Sequence, residues 1–276
     1  LKDTQTLLTE FDNSKCDFTI DDNVVESWEC YKSIKKNKDF LDRFQYINWE
    51  QLKFLNNSIL FLTVFSMYSI LSPALNVIAP FFVLLIPFLL LKIKKIPITL
   101  SKYMEILIVS LKNNSFGRLI TQWNNIPWNQ RIYMIIMIGM YVYNIYQNML
   151  SCYSFYKNTS VINKNISNIN TFVKNTIVKI KIYKKLTHNL PSYKNYNSYL
   201  EEKLNELDIL QKSLNTIPKA SFSVKKIPYL GYTLKQYFTI YDSLKIEDLM
   251  LFSFGFNNYL DKIHNISNII KSKKIN

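Results

Sequence analysis

The chain is expected to be all-α, and three observations carry that expectation. Apolar residues recur at helical steps over long distances, as at Ile162, Ile166, Ile169, Val173, Ile177 and Ile180, which marks one persistent helix face. Glycine occurs only four times in 276 residues, and neither Gly117, Gly139, Gly231 nor Gly255 opens or closes a phosphate loop; so few argue against a loop-rich α/β enzyme with phosphate-cradling turns. Finally, residues 54–91 contain no charged side chain. A helix needs about 20 apolar residues to cross a bilayer, so this run is nearly long enough for two crossings.

Residues 1–30 are acidic, with Asp3, Glu10, Asp12, Asp17, Asp21, Asp22, Glu26 and Glu29, and read as a polar, loosely docked lead-in. Trp28 to Trp49 mixes aromatics with charge, as a short amphipathic helix pair would. A core or membrane-associated region is then expected over 31–157. Within it, Pro73, Pro80 and Pro87 interrupt the uncharged run, and proline removes a backbone donor and kinks or ends a helix. Two readings stay open: a proline-kinked membrane hairpin turning at Ser72-Pro73, or a kinked, buried core. Lys92, Lys94 and Lys95 close the run. In the membrane reading they anchor to lipid headgroups, and together with the three prolines they are the candidate membrane-anchor residues.

Leu100, Met104, Leu107 and Leu111 give a further helix, followed by a loop with Trp123, Pro127 and Trp128. Residues 132–156 form a second uncharged run, 25 residues long, that carries Asn144, Gln147 and Asn148. At that length it could span a bilayer, but unpaired amides cost free energy in lipid, so of the two readings burial in protein is the favoured one. Basic residues flank both runs on both sides, so charge asymmetry assigns no topology.

Residues 158–276 are expected to form amphipathic, lever-like helices. Val178, Ile180 and Ile182 alternate with lysines, as a strand would, but the long upstream period favours helix. Pro191 marks a turn, and Ser198 with Glu201 forms a capping-box pattern that would open the next helix. Its face is Leu200, Leu204, Leu207 and Leu214, so two antiparallel helices joined by a proline turn are expected. Pro218 and Pro228 bracket a basic connector over 219–226. Two last helices follow, over 230–241 and 249–270.

The net charge of +14 and pI of 9.4 suit a nucleic acid or an anionic membrane; AT-rich coding bias would supply much of the lysine equally well. Cys16, Cys30 and Cys152 have no paired spacing, and His188 and His264 lie far from any cysteine, so neither a metal site nor a catalytic base is expected. Paired acids such as Glu201-Glu202 and Glu247-Asp248 read as solvated helix starts. The candidate DNA-binding residues are Lys174, Lys179, Lys181, Lys184, Lys185, Lys225 and Lys226, whose phosphate contacts would give affinity without sequence choice. Lysines favouring the C-terminal helix dipole are the plainer explanation.

Four segments carry a resemblance: Asp42-Arg43-Phe44-Gln45-Tyr46-Ile47, Leu71-Ser72-Pro73-Ala74 continuing to Ile86-Pro87-Phe88, Tyr146-Gln147-Asn148-Met149-Leu150-Ser151, and Leu251-Phe252-Ser253-Phe254-Gly255-Phe256-Asn257. They resemble the region upstream of the ATPase in MutS-related proteins (DNA mismatch repair ATPase-like) of giant DNA viruses, over roughly residues 28–269. The resemblance implies a non-catalytic core and lever region, with 162–186 and 198–214 as lever helices. It would couple a downstream ATPase domain, which would bind ATP and Mg and form a homo-oligomer or dimer, to DNA. No nucleotide-binding motif and no mismatch-reading Phe-x-Glu occurs in these residues, so no ATP-site residue carries over and this stretch is not itself expected to be an enzyme. An intracellular place, in host cytoplasm or at an intracellular or virion membrane, goes with that reading. A structural membrane scaffold with no nucleic-acid role is the alternative.

Overall fold

The computed structural model describes residues 2–13, 18–113, 127–217 and 227–272, and every regular element among them is helical. In chain order these are α1 (Lys2–Asn13), α2 (Asp22–Lys35), α3 (Phe40–Arg43), a 3-10 segment (Glu50–Asn57) and α4 (Ile59–Ile93). Then come α5 (Leu100–Asn113), α6 (Trp128–Thr187), a 3-10 turn (Pro191–Tyr193), α7 (Lys194–Asn215), α8 (Ile227–Asp242) and α9 (Leu244–Ser272). Two compact units divide the chain, unit 1 being Leu1–Ser66 with Lys157–Asn276 and unit 2 being Met67–Tyr156.

Local chemistry sets the helix ends. Asp21 caps α2 by accepting from the Val24 amide, and the hydroxyls of Ser58 and Ser243 accept from Phe61 and Ile246 at the starts of α4 and α9; such caps satisfy amides that have no partner within the helix. Pro228 sits in the first turn of α8, where its missing amide costs nothing. Two helices end in the left-handed conformation without glycine, at Gln45 (φ 60°) and Lys95 (φ 57°). In both, the next amide reaches back five residues, Tyr46 to the Leu41 carbonyl and Ile96 to Leu91, which is the Schellman closure.

Unit 1 is built on a 3.5-residue repeat. On α6 the buried seam is Thr159, Ile162, Ile166, Ile169, Val173, Thr176, Ile180, Tyr183 and Thr187, in alternating steps of three and four. This is the period of helices that supercoil around one another. α7 repeats it with Leu200, Leu204, Leu207 and Leu214, and α9 with Leu249, Ser253, Phe256, Leu260 and Ser267. The cross-contacts Asn170 to Asn215, Lys184 to Glu201 and Thr187 to Asn197 place α6 and α7 antiparallel. The seam's threonines are matched rather than orphaned. Asn257, buried on α9, donates to the Thr176 hydroxyl at 2.9 Å, and Thr187 donates to the Tyr183 carbonyl at 2.9 Å.

Aromatic packing closes the unit. Phe172 stacks on Phe254 with ring centroids 4.4 Å apart, and Trp28 meets the same ring edge-on at 5.0 Å. Tyr183 sits among Phe11, Tyr193, Tyr196, Phe256 and Tyr259. At the 3-10 segment, the Asn56 side chain both accepts from the Ile47 amide (2.9 Å) and donates to its carbonyl (2.8 Å). Its amide stands in for a strand neighbour where no strand exists.

Three expectations are corrected here. The acidic N-terminus is not a loose lead-in: Leu7, Phe11 and Phe18 are buried, α1 packs on α9, and the Ser192 amide donates to Asp3. Glu10, Asp21, Asp22, Glu26 and Glu29 are exposed, while Asp3 and a small number of large apolar groups do the docking. Ser198 does not open a helix, because α7 already begins at Lys194, one turn earlier. The chain does not turn at Ser72-Pro73 either, since α4 continues through Pro73, Pro80 and Pro87 as one helix of 35 residues. The 219–226 connector lies outside the described residues.

Candidate functional site

Two surfaces stand apart from ordinary helical packing, one on each unit. In unit 2, α4 and the first half of α6 present large apolar side chains outward. On α4 these include Met67, Leu71, Leu75, Val77, Ile78, Phe82, Leu85, Ile86, Leu89 and Leu90. The expectation that 132–156 is buried in protein is overturned: Ile132, Ile135, Ile136, Ile138, Val142, Met149 and Leu150 are all exposed. Its amides, which motivated that expectation, are partly satisfied within the helix, where Asn148 donates to both the carbonyl and the side-chain oxygen of Asn144 at 2.8 and 2.7 Å.

Among the described residues, α4 alone is long and apolar enough to cross a membrane. Its Ile59–Ala79 portion has a mean hydropathy of 1.6 and is only 17% buried. A core helix of a water-soluble protein would pass on apolarity and fail on burial.

The prolines explain why the helix does not break. Pro73 cannot donate to the Ser69 carbonyl and Pro80 cannot donate to the Asn76 carbonyl, one turn back in each case. The Ser72 hydroxyl reaches Ser69 O at 3.4 Å, and the Tyr141 hydroxyl donates to Asn76 O at 2.9 Å. An acceptor freed by proline is thus taken up by a side chain, which is how helices in lipid tolerate proline. Tyr141→Phe is therefore expected to cost about 1 kcal/mol, the range of interhelical hydrogen bonds in membranes. In a Pro80→Ala background, where the backbone amide returns, it should cost nothing. Thermal unfolding of the four variants in detergent, followed by circular dichroism, measures the coupling; an equal cost in both backgrounds would refute it.

The candidate anchors follow the same geometry. Lys92, Lys94 and Lys95 are exposed at the end of α4, with the Lys92 ammonium 5.8 Å from the Phe88 ring centroid. Pro87 is exposed and Pro73 half-buried.

The second surface is on α6 in unit 1. The structure divides the lysines proposed for DNA. Lys174, Lys181 and Lys185 are exposed on one face. Lys184 is instead paired with Glu201, and Lys179 donates to the Thr19 carbonyl at 3.3 Å. Lys225 and Lys226 lie outside the described residues. Two further lysines join the exposed face, Lys157 and Lys164. Neither lies in a local cluster of lysines. The signal that finds them is larger in scale: α6 contains no aspartate or glutamate from Trp128 to Thr187.

The buried reactive groups are structural. Burial pushes the Cys30 thiol up to about 11, so it stays protonated at neutral pH. Burial, then the hydrogen bond to Tyr259, raises the Tyr183 phenol well above its ordinary value. Among the described residues no three His, Cys, Asp or Glu side chains gather as a metal site. Compared with protein-family models, curated proteins and solved structures, the chain matches none.

Proposed function

We propose that the chain is a membrane-associated helical module: unit 2 lies in a bilayer, and unit 1 is a water-facing part that carries an arm made of α7 and of α6 from Lys157 onward. The carrying observation is the exposed apolar surface of α4 over residues that bear no charge. From Met67 to Leu91 that helix is about 37 Å long at 1.5 Å per residue. The hydrocarbon core is about 30 Å thick, so one tilted crossing accommodates it. Lysines at Lys92, Lys94 and Lys95 then fall where headgroups would meet them. The resemblance to MutS-related ATPases gives the arm a purpose, as the lever between a downstream ATPase and its target. The antiparallel packing of α6 on α7 supports that part of the reading.

Carbonate extraction of membranes from expressing cells tests the bilayer half. The wild-type chain is expected in the pellet. Leu75→Asp with Ile78→Asp is expected to shift it toward the supernatant, each carboxylate costing about 2.5–3.5 kcal/mol at the centre of a membrane helix. Quantitative release of the wild-type chain as a detergent-free oligomer would overturn the proposal and leave self-association as what covers the apolar face. A scaffold role would instead keep the membrane result and lose every partner of the arm.

A further inference from the structure

We propose that the outward face of α6 between Lys157 and Lys185 is a track for the phosphate backbone of a nucleic-acid duplex, bound without regard to base sequence. The proposal names a partner for the water-facing arm and rests on the preceding reading only for that arm's place in water. Between Lys157 and Lys185, the exposed positions of α6 are Lys157, Ser160, Lys164, Ser167, Thr171, Lys174, Val178, Lys181 and Lys185. They follow one another in alternating steps of three and four, the mirror of the buried seam. A 3.5-residue repeat drifts about 20° per heptad on a straight helix, so the line winds by roughly a quarter turn over about 42 Å.

Several features single this face out from a solvated helix surface. Lysine fills most of the exposed positions, with hydroxyls and one valine between. Helix α6 supplies no carboxylate to neutralise them. Among the described residues none of the five has an ion-pair partner, whereas Lys184, turned toward α7, has one. Neighbouring α2 brings Asp22, Glu26 and Glu29 to its own surface without pairing to the track. The helix dipole accounts for cations only in the last turn, which covers Lys185 but neither Lys157, Lys164 nor Lys174.

The choice between a duplex and a lipid surface also follows from the face. A helix that lies on a membrane sinks apolar side chains beside its lysines. Here the other apolar residues of α6 between Lys157 and Lys185 are buried or half-buried, and Val178 is the one exposed apolar group on the track. Short hydroxyls between well-spaced ammonium groups instead match backbone binding, where lysine meets phosphate as a point charge and serine or threonine donates beside it.

The test is fluorescence anisotropy with the full chain in zwitterionic detergent and a 20-base-pair DNA duplex of arbitrary sequence, titrated between 50 and 200 mM salt. Each phosphate contact contributes about 0.9 to the slope of log affinity against log salt. The wild-type slope is expected to be about −4.5 for five lysines, unchanged by scrambling the duplex. Lys164→Gln, Lys174→Gln and Lys181→Gln together should flatten it by about 3. An equal change of charge off the track, Lys194→Gln, Lys212→Gln and Lys262→Gln, should leave it unaltered. Circular dichroism of both triple variants verifies that the helices persist. Absence of duplex binding at 50 mM salt, or equal slopes in the two variants, would overturn the track. So would anionic phosphatidylserine vesicles binding through these lysines where duplex does not. Each of these outcomes is independent of carbonate extraction, which judges the bilayer reading alone.

Discussion

Gly231→Ala is expected to destabilise unit 1 by more than about 2 kcal/mol, the upper part of the range for overpacking a tight core. Gly255→Ala is expected to stabilise it by about 1 kcal/mol, the difference in helix propensity between the two residues. Both glycines lie within helices and neither has positive φ, so propensity alone predicts the same gain at each. Space decides otherwise. A Cβ on Gly231 would lie 2.5 Å from the Ile59 carbonyl oxygen and 2.6 Å from the Thr63 amide nitrogen, and closer still to the Thr63 hydroxyl. Two of those obstacles are backbone atoms of α4 and cannot rotate aside, so α8 must move away from the first turns of α4. At Gly255 nothing lies within 4 Å. Thermal unfolding in detergent micelles reads both effects. For a unit of this size about 1 kcal/mol corresponds to 2–4 °C, so the two variants should move to opposite sides of the wild type. Movement in the same direction would remove the close helix approach from the account.

How far such features can be read in advance depends on whether their cause is local. The helices of 162–187 and 194–215 are legible because the apolar period repeats over many turns, and one repeat is enough to name the face. The full seam is less legible, because Thr159, Thr176 and Thr187 are polar and an apolar period passes over them. Their hydroxyls are satisfied by groups such as Asn257, distant in sequence. The prolines are illegible for the same reason. Locally, Ser72-Pro73 looks like a break, and Tyr141, which pairs with the carbonyl that Pro80 leaves free, is a remote residue whose role no window around Pro80 contains. Acids at Asp3 and Glu10 concealed Leu7 and Phe11, since average polarity hides a narrow apolar stripe. Of the candidate lysines, Lys174, Lys181 and Lys185 were legible as one face from spacing. That Lys179 and Lys184 turn inward depends on Thr19 and Glu201, which spacing does not place.

Phe172→Ala should cost about 3–5 kcal/mol, as for other fully buried phenylalanines, and the loss should be felt by three helices together. Phe172 is completely buried on α6, and its ring covers Phe254 of α9 nearly parallel, at 19°. Phe254 in turn meets Trp28 and Tyr31 of α2. Removing the first ring takes away its own apolar burial and the aromatic pair, the latter about 0.5–1.5 kcal/mol. It also leaves a void that Phe254 cannot fill without abandoning α2. Trp28 is partly exposed at 41%, so the stack is closed from that side by a ring in contact with water, and the void would open outward. Phe172→Leu retains most of the volume and should recover more than half the loss, the remainder being the ring-specific part. Hydrogen exchange supplies the decisive measurement. Amides of α2, α6 and α9 should lose protection in parallel in Phe172→Ala. If α6 alone loosened while α2 stayed protected, the ring stack would not be what ties the lysine-bearing face of α6 to the rest of unit 1, and the antiparallel contact with α7 would have to hold it instead.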